Sequence, residues 1–333
     1  MPSGTQGAIF DMKTMIPCTA ALMALICRVC TAQPAQFPTK PIRLIIGFTP
    51  GSEIDVVGRL ISQEMSEKWG QKMVVDNRSG AGGTLAGAIA AGATPDGYTL
   101  FFNSVSHTAS QTLYSRLPYD TLRDFAGVSQ ATSAPNVLVA APAQGSKSVK
   151  ELIALARQKP GQINFGSAGV GSGTHITMEM FRLAADIKVA HVPYKGVPEL
   201  LADTMTGRIH YTFSPIGNTL PFVKDRRLAA LAVTTTARSP SLPDVPTVAE
   251  AAISGFEWDQ WYGMFAPAKT PRAIVNQVSQ EMARVLSLPG VRERLAVRGS
   301  IPKPSTPEQF DKFVRAEVEK VAKAIRDGGI KLE

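Results

Sequence analysis

Short apolar runs alternate with amphipathic stretches along most of the 333-residue chain. Ile42 to Phe48 (IRLIIGF) is a continuous apolar run of strand length, and Ile54 to Trp69 repeats apolar residues at helical spacing. KMVVDN (72–77) and YTLFFNS (98–104) repeat the strand signal on either side of a glycine-alanine helix at Gly83–Gly92. A second series begins after SAPN, Ser133 to Asn136. It runs through VLVAA, a helix at Ser148–Gln158, INFGS, a helix at Gly173–Ala185, VAHVPY, a helix at Val197–Thr206, IHYTFS and LAALAVTT. Strands alternating with helices predict mostly parallel sheets, and two such series predict two α/β lobes. The C-terminal third reads as mainly helical, over Pro271–Leu286, near Val291 and over Thr306–Asp327. The chain is therefore expected to cross near Ser133 and return near Trp258 to Phe265. That gives one lobe of residues 37–133 plus 259–333 and a second of 134–258.

Composition supports this reading. With 44% hydrophobic and 19% charged residues, the chain has enough apolar side chains for real cores. The N-terminus adds a compartment. An apolar run, Ile16 to Ile26, follows Lys13 and precedes CRVCTAQPAQFP, which predicts a signal peptide over residues 1–32, cleaved near Ala32, and a periplasmic location. The run falls well short of the roughly 20 apolar residues a membrane span needs. Cys18, Cys27 and Cys30 all lie in this segment, so neither a disulfide framework nor a thiolate site is expected after cleavage. The net charge of +8 falls by one with that segment, which holds Lys13, Arg28 and Asp11. The basic residues are scattered and do not alternate with aromatics, so nucleic acid is not an expected partner. A general positive field instead favours small anions reaching a cleft, and a monomer is expected.

In open α/β sheets, ligands bind outside the carboxyl ends of the strands. That rule selects FTPGSEID, NSVSH, INFGSAGVGSGTH, PYKG and SPIGN. The third of these, Ile163 to His175, has Gly169, Gly171 and Gly173, but Thr174 stands where the last glycine of G-x-G-x-x-G belongs, and no P-loop is present. An exported chain also meets no maintained NADH or ATP pool, so no cofactor is expected. Free amides at a helix start, with hydroxyls from Ser167, Ser172 and Thr174, suit a carboxylate as well as a phosphate, and an ordinary N-cap suits the same residues. Ser52-Glu53-Ile54-Asp55 matches a capping box, as do related patterns at Ser148–Glu151, Thr247–Glu250 and Thr306–Gln309, so capping and ligand contact both stand for Asp55. Glu53 at a cleft lip repels an anionic ligand or attracts its ammonium group. His107, His175, His191 and His210 lack metal-ligand spacing, and no G-x-S-x-G elbow occurs, so no catalytic or metal residue is assigned. His175 reads as a helix-start donor and the other three as structural.

The runs KPIRLIIGFTPGSEID, VVDNRSGAGG, ATPDGYTLFF, LYSRLPYDTLRDF, KSVKELIALARQKPGQINFGSAGVGSGTH, HVPYKG, LAVTTTARSPSLPDVPTVAEA and WYGMFAPAKTP, in that order, resemble the substrate-binding proteins of tripartite tricarboxylate transporters, the Bug-type family. The resemblance implies a type II-like periplasmic binding protein. Each of its two lobes is a sheet flanked by helices, and the cleft between them closes on a small organic acid or amino-acid-like carboxylate, without chemistry, for membrane transporter subunits. Carried over by position, it assigns ligand contact to Pro50, Gly51, Ser52, Glu53 and Asp55, and to Ser167, Ala168, Gly169, Ser172, Gly173, Thr174 and His175. Ser104, Tyr194 and Ser214 follow from the strand-end rule. Two departures stand out. The family usually continues Pro-Gly-Gly with small residues, whereas Gly51 precedes Ser52, Glu53 and Ile54, which favours an aminated or neutral-headed carboxylate. Arg226 stands where glycine is usual. A ligand sensor for a signalling partner uses the same physics, and a periplasmic hydrolase or lyase would need a nucleophile with a base or a metal site.

Overall fold

The computed structural model describes residues 1–5, 7, 37–133, 135–327 and 330; the expected signal peptide lies, apart from residues 1–5 and 7, outside the described residues. The apolar run after Lys40 forms strand β1 (Ile42–Ile46), followed by helix α1 (Glu53–Trp69), β2 (Met73–Asn77), α2 (Thr84–Ala91), β3 (Thr99–Ser104) and α3 (Val105–Leu113). Strand β4 (Phe125–Ser133) ends this series, and β5 (Asn136–Ala140) opens the next. There follow α4 (Val149–Gln158), β6 (Asn164–Ser167), α5 (Gly173–Ala185), β7 (Ala190–Pro193), α6 (Val197–Met205), β8 (Tyr211–Pro215), α7 (Ile216–Lys224), β9 (Ala229–Val233) and the short α8 (Val248–Ala251). The chain then returns through β10 (Trp261–Pro267), α9 (Arg272–Ser287), α10 (Pro289–Val297), β11 (Ile301–Pro302) and α11 (Pro307–Asp327).

The strands form two sheets, each flanked by helices, so the chain makes two α/β lobes. The six-stranded sheet has the order β11-β4-β10-β3-β1-β2, and the five-stranded sheet β7-β6-β8-β5-β9. Neither is mostly parallel, contrary to expectation. Strand β10 runs antiparallel to both β3 and β4, and β5 runs antiparallel to both β8 and β9, while β1 with β2 and β3, and β6 with β7 and β8, are parallel. The strands that begin or end a crossing between the sheets supply the antiparallel pairs, because a chain that arrives from the other sheet needs no crossover helix and can enter from either end.

Each lobe has its own aromatic packing. Phe101, Phe125, Phe265 and Phe310 pack around the first sheet, where Gly263 makes room for Phe310: a Cβ there would lie 2.1 Å from its ring. Phe165, Phe181, Tyr211 and Phe213 are buried on the second sheet. Removing such side chains from water contributes about 1.5–3 kcal/mol each.

Candidate functional site

Four helices follow the carboxyl ends of four strands and start at one place. These are α1 after β1, α3 after β3, α5 after β6 and α7 after β8. Their first residues line a single cavity: Ser52, Glu53 and Ile54, Ser104, then Ser172, Gly173 and Thr174, and Pro215. Phe48, Ala168, Val197, Gln260 and Tyr262 complete the wall. Each helix start carries partial positive charge and amides that no intrahelical carbonyl can satisfy, so the cavity attracts anions without a free cationic side chain.

The start of α5 is braced by its own hydroxyls. Ser172 Oγ accepts from the His175 amide (3.3 Å), and Thr174 Oγ1 accepts from the Ala168 amide (2.8 Å) while lying 3.0 Å from Ser172 Oγ. The amides of Gly173 and Thr174 have no intrahelical acceptor. Gly173 also lets the Gln260 side chain pass beside the helix, since an added Cβ would lie 2.1 Å from Gln260 Oε1. Across the cavity, Ser52 does not cap α1. Its hydroxyl donates to the Thr49 carbonyl (2.6 Å). Asp55 forms only part of the expected capping box, accepting from the Gly51 amide (2.9 Å) rather than from Ser52, and it also binds Arg59 and Asn77.

Glu53 lines the cavity and is 1% exposed. Arg298 Nε and Nη2 donate to its carboxylate at 3.0 and 2.6 Å, and Ser300 Oγ donates at 3.2 Å. Burial raises the Glu53 carboxyl from its ordinary value, while Arg298 and Ser300 pull it down. The expectation for Glu53 is that it repels an anionic ligand or attracts its ammonium group; the structure adds that its carboxylate is held by a guanidinium of the same chain.

Seven of the fifteen expected residues line this cavity: Ser52, Glu53, Ser104, Ala168, Ser172, Gly173 and Thr174. The others lie behind it or beside it. Pro50 is exposed, and Gly51 turns the chain at φ +82° with its carbonyl accepting from Asn218 Nδ2 (2.8 Å). Ser167 Oγ braces the loop, bonding to Gly169 and to His191 Nε2 (2.6 Å). The His175 ring does not donate at the helix start as expected. Its Nδ1 accepts from the Gly171 amide (3.2 Å), and the ring stacks on His191 at 4.2 Å. Burial pushes His175 down to about 4 and His191 to about 3, so both are neutral imidazoles at neutral pH. Among the described residues, the buried Ser214 hydroxyl has no hydrogen-bond partner. Tyr194, whose hydroxyl donates to Asp203 (2.8 Å), and Gly169 line a neighbouring recess of about 380 Å³ that shares Phe48 and Ala168 with the cavity. Sequence reasoning missed Val197, Gln260 and Tyr262; Phe48, Ile54 and Pro215 lie in strand-end segments it selected, without being named as contacts. Gln260 and Tyr262 sit in the returning segment DQWYGMFAP, but nothing in their spacing distinguishes a cavity wall from core. Among the described residues, no group of three His, Cys, Asp or Glu side chains is placed to hold a metal ion.

The two sides of the cavity touch. Besides the Asn218–Gly51 bond, a Cβ on Gly196 would lie 1.8 Å from Thr49 Oγ1, and one on Gly82 would lie 2.3 Å from the Val170 carbonyl oxygen. The free space in this cavity is about 20 Å³, enough for about one water molecule, so a larger molecule needs the sides to part.

Comparison with known proteins places this geometry. Residues 57–330 match the family model of the tripartite tricarboxylate transporter family receptor. The chain is 36% identical over 87% of its length to a UPF0065 protein in the tcbD-tcbE intergenic region of Pseudomonas sp. (strain P51), of which it covers 86%. It is 31% identical over 89% of its length to BugT of Bordetella pertussis (strain Tohama I), covering 92% of that protein. Among solved structures, Rpa4515 of R. palustris with adipate has a TM-score of 0.86 at 33% identity, covering 89% of this chain and 99% of that one. MatC of Rhodopseudomonas palustris with bound malate has a TM-score of 0.83 at 30% identity, covering 87% and 100%.

Proposed function

Because the chain belongs to the tripartite tricarboxylate transporter receptor family, a family of substrate-binding receptors, we propose that it is a periplasmic solute receptor that captures a small organic acid and hands it to membrane transporter subunits. The observation that carries this reading is the convergence of four helix starts on one cavity between the two sheets. The adipate and malate held by two solved relatives support the ligand class. The start of α5, with Ser172, Gly173 and Thr174, replaces the hydration shell of a carboxylate.

The lobes are residues 37–133 with 259–333, and 134–258, and the crossings at 133–136 and 258–261 act as the hinge. Ser133 Oγ donates to Asp259 Oδ2 there, tying the outgoing strand to the returning one. Binding is closure without chemistry: the ligand favours the closed form by its differential affinity, and transporter subunits recognise that form. Residues 1–32 direct export and are removed near Ala32. The test is a thermal-shift and calorimetric screen of aliphatic, aromatic and amino-acid carboxylates, with mass analysis of the recovered ligand. Saturable stabilisation with unchanged ligand is expected. Turnover of the ligand, or stabilisation by no carboxylate, overturns the reading.

A further inference from the structure

The Glu53 carboxylate occupies a place that has every part of a carboxylate subsite. Arg298 presents a fork to both oxygens, Ser300 adds a hydroxyl, and the start of α7 closes over the group from the second sheet. Gly217, in the first turn of α7, makes that approach possible, because a Cβ there would lie 2.2 Å from Glu53 Oε2. A bidentate guanidinium, a hydroxyl donor and a glycine at a helix start are the elements that bind free carboxylates in protein sites. Here the chain's own side chain fills them, and it does so within the wall of the cavity whose opposite wall is the start of α5.

We propose that Glu53 serves as a built-in carboxylate that makes this receptor selective for ligands with a single carboxylate. The inference rests on the carboxylate-receptor reading above and narrows it. The ligand's one carboxylate takes the start of α5. The rest of it meets Phe48, Ile54, Val197, Pro215 and Tyr262, which suit an apolar or neutral body. A dianion of matching length would bring its second carboxylate against Glu53, where the Arg298 and Ser300 donors are already used and nothing offsets the loss of its water shell.

Calorimetric titration with length-matched pairs, butanoate with succinate and hexanoate with adipate, decides the matter in the wild type and in two variants. The wild type is expected to bind the monocarboxylate of a pair at least about tenfold more tightly. Glu53→Ala, which frees Arg298, Ser300 and the start of α7, is expected to reverse that preference. Glu53→Gln keeps the size of the side chain and removes its charge, and it is expected to narrow the preference while holding the fold if Glu53→Ala does not. Equal or tighter dicarboxylate binding by the wild type overturns the inference and leaves the receptor reading standing. A folded Glu53→Ala and Glu53→Gln that both keep the wild-type preference also overturn it. Binding of no carboxylate in the wider screen removes the receptor reading and this inference together.

Discussion

Single residues carry the most direct tests. Arg226 adopts φ +57°, in the left-handed region that suits glycine, at the point where α7 gives way to β9 and the Arg226 and Arg227 amides close the helix onto the Val223 and Phe222 carbonyls. A side chain held there costs about 1 kcal/mol or more, partly offset by the greater freedom of glycine in the unfolded chain. Arg226→Gly is therefore expected to raise the melting temperature slightly, and a lowered one removes the strain argument. His107 lies 1% exposed among Phe101, Tyr119, Phe125 and Phe265, with neither ring nitrogen hydrogen-bonded among the described residues. Desolvation pushes it from 6.5 down to about 3. Its folded value lies below its unfolded one, so the unfolded chain takes the proton more readily. Its contribution is complete above pH 6.5 and is lost as pH falls toward about 3. His107→Phe keeps the aromatic packing and removes the titration, so urea melts from pH 7 to 4 should show a shallower loss of stability than the wild type; parallel curves count against it. At the cavity, Thr174→Val removes the acceptor for the Ala168 amide and is expected to weaken carboxylate binding by about 0.5–1.5 kcal/mol. An unchanged dissociation constant would return Thr174 to a purely structural role.

At the scale of elements, legibility in the sequence followed burial. Helices with one wet face, such as α4 and α11, were readable because their apolar residues recur at helical spacing. Helix α3 was not: Ser106, His107, Thr108 and Ser110 are polar yet buried, so no apolar stripe in VSHTASQTL marks its period, and only NSVSH was selected, as a strand end. Strand β4 (FAGVSQATS) hides for a related reason. Its polar residues Ser129, Thr132 and Ser133 are buried along with its apolar ones, so alternation gives no sign of a central strand. Helix α7 follows Pro215 and contains Pro221, which mimics a loop signal; the ring at Pro221 falls late enough that the first turn still faces Glu53.

The whole molecule turns on the contact across the cavity. Gly196 has an extended backbone that any residue adopts (φ −172°), so Gly196→Ala adds no local strain, yet its methyl meets Thr49 on the opposite side. That variant is expected to keep the stability of the unliganded protein and to lose at least about tenfold in ligand affinity, a penalty of about 1.4 kcal/mol or more on the closed form. Pairing it with Thr49→Gly should restore binding. Failure of the pair to recover affinity means that closure does not run through this contact.

Periodicity and spacing determined by themselves that two α/β series exist, where the chain crosses between them, and that GSAGVGSGTH opens a helix, because local hydrogen bonding and side-chain alternation are properties of short segments. Resemblance of the same residues to a family brought the ligand class into view. Only the tertiary structure decided what Glu53 does. Its partners, Arg298 and Ser300, lie 245 and 247 positions along the chain, and no local pattern records a pair made at that separation. The residue that read as one to repel an anion or attract an ammonium group is a carboxylate held within the chain, because folding brings a guanidinium and a helix start to it.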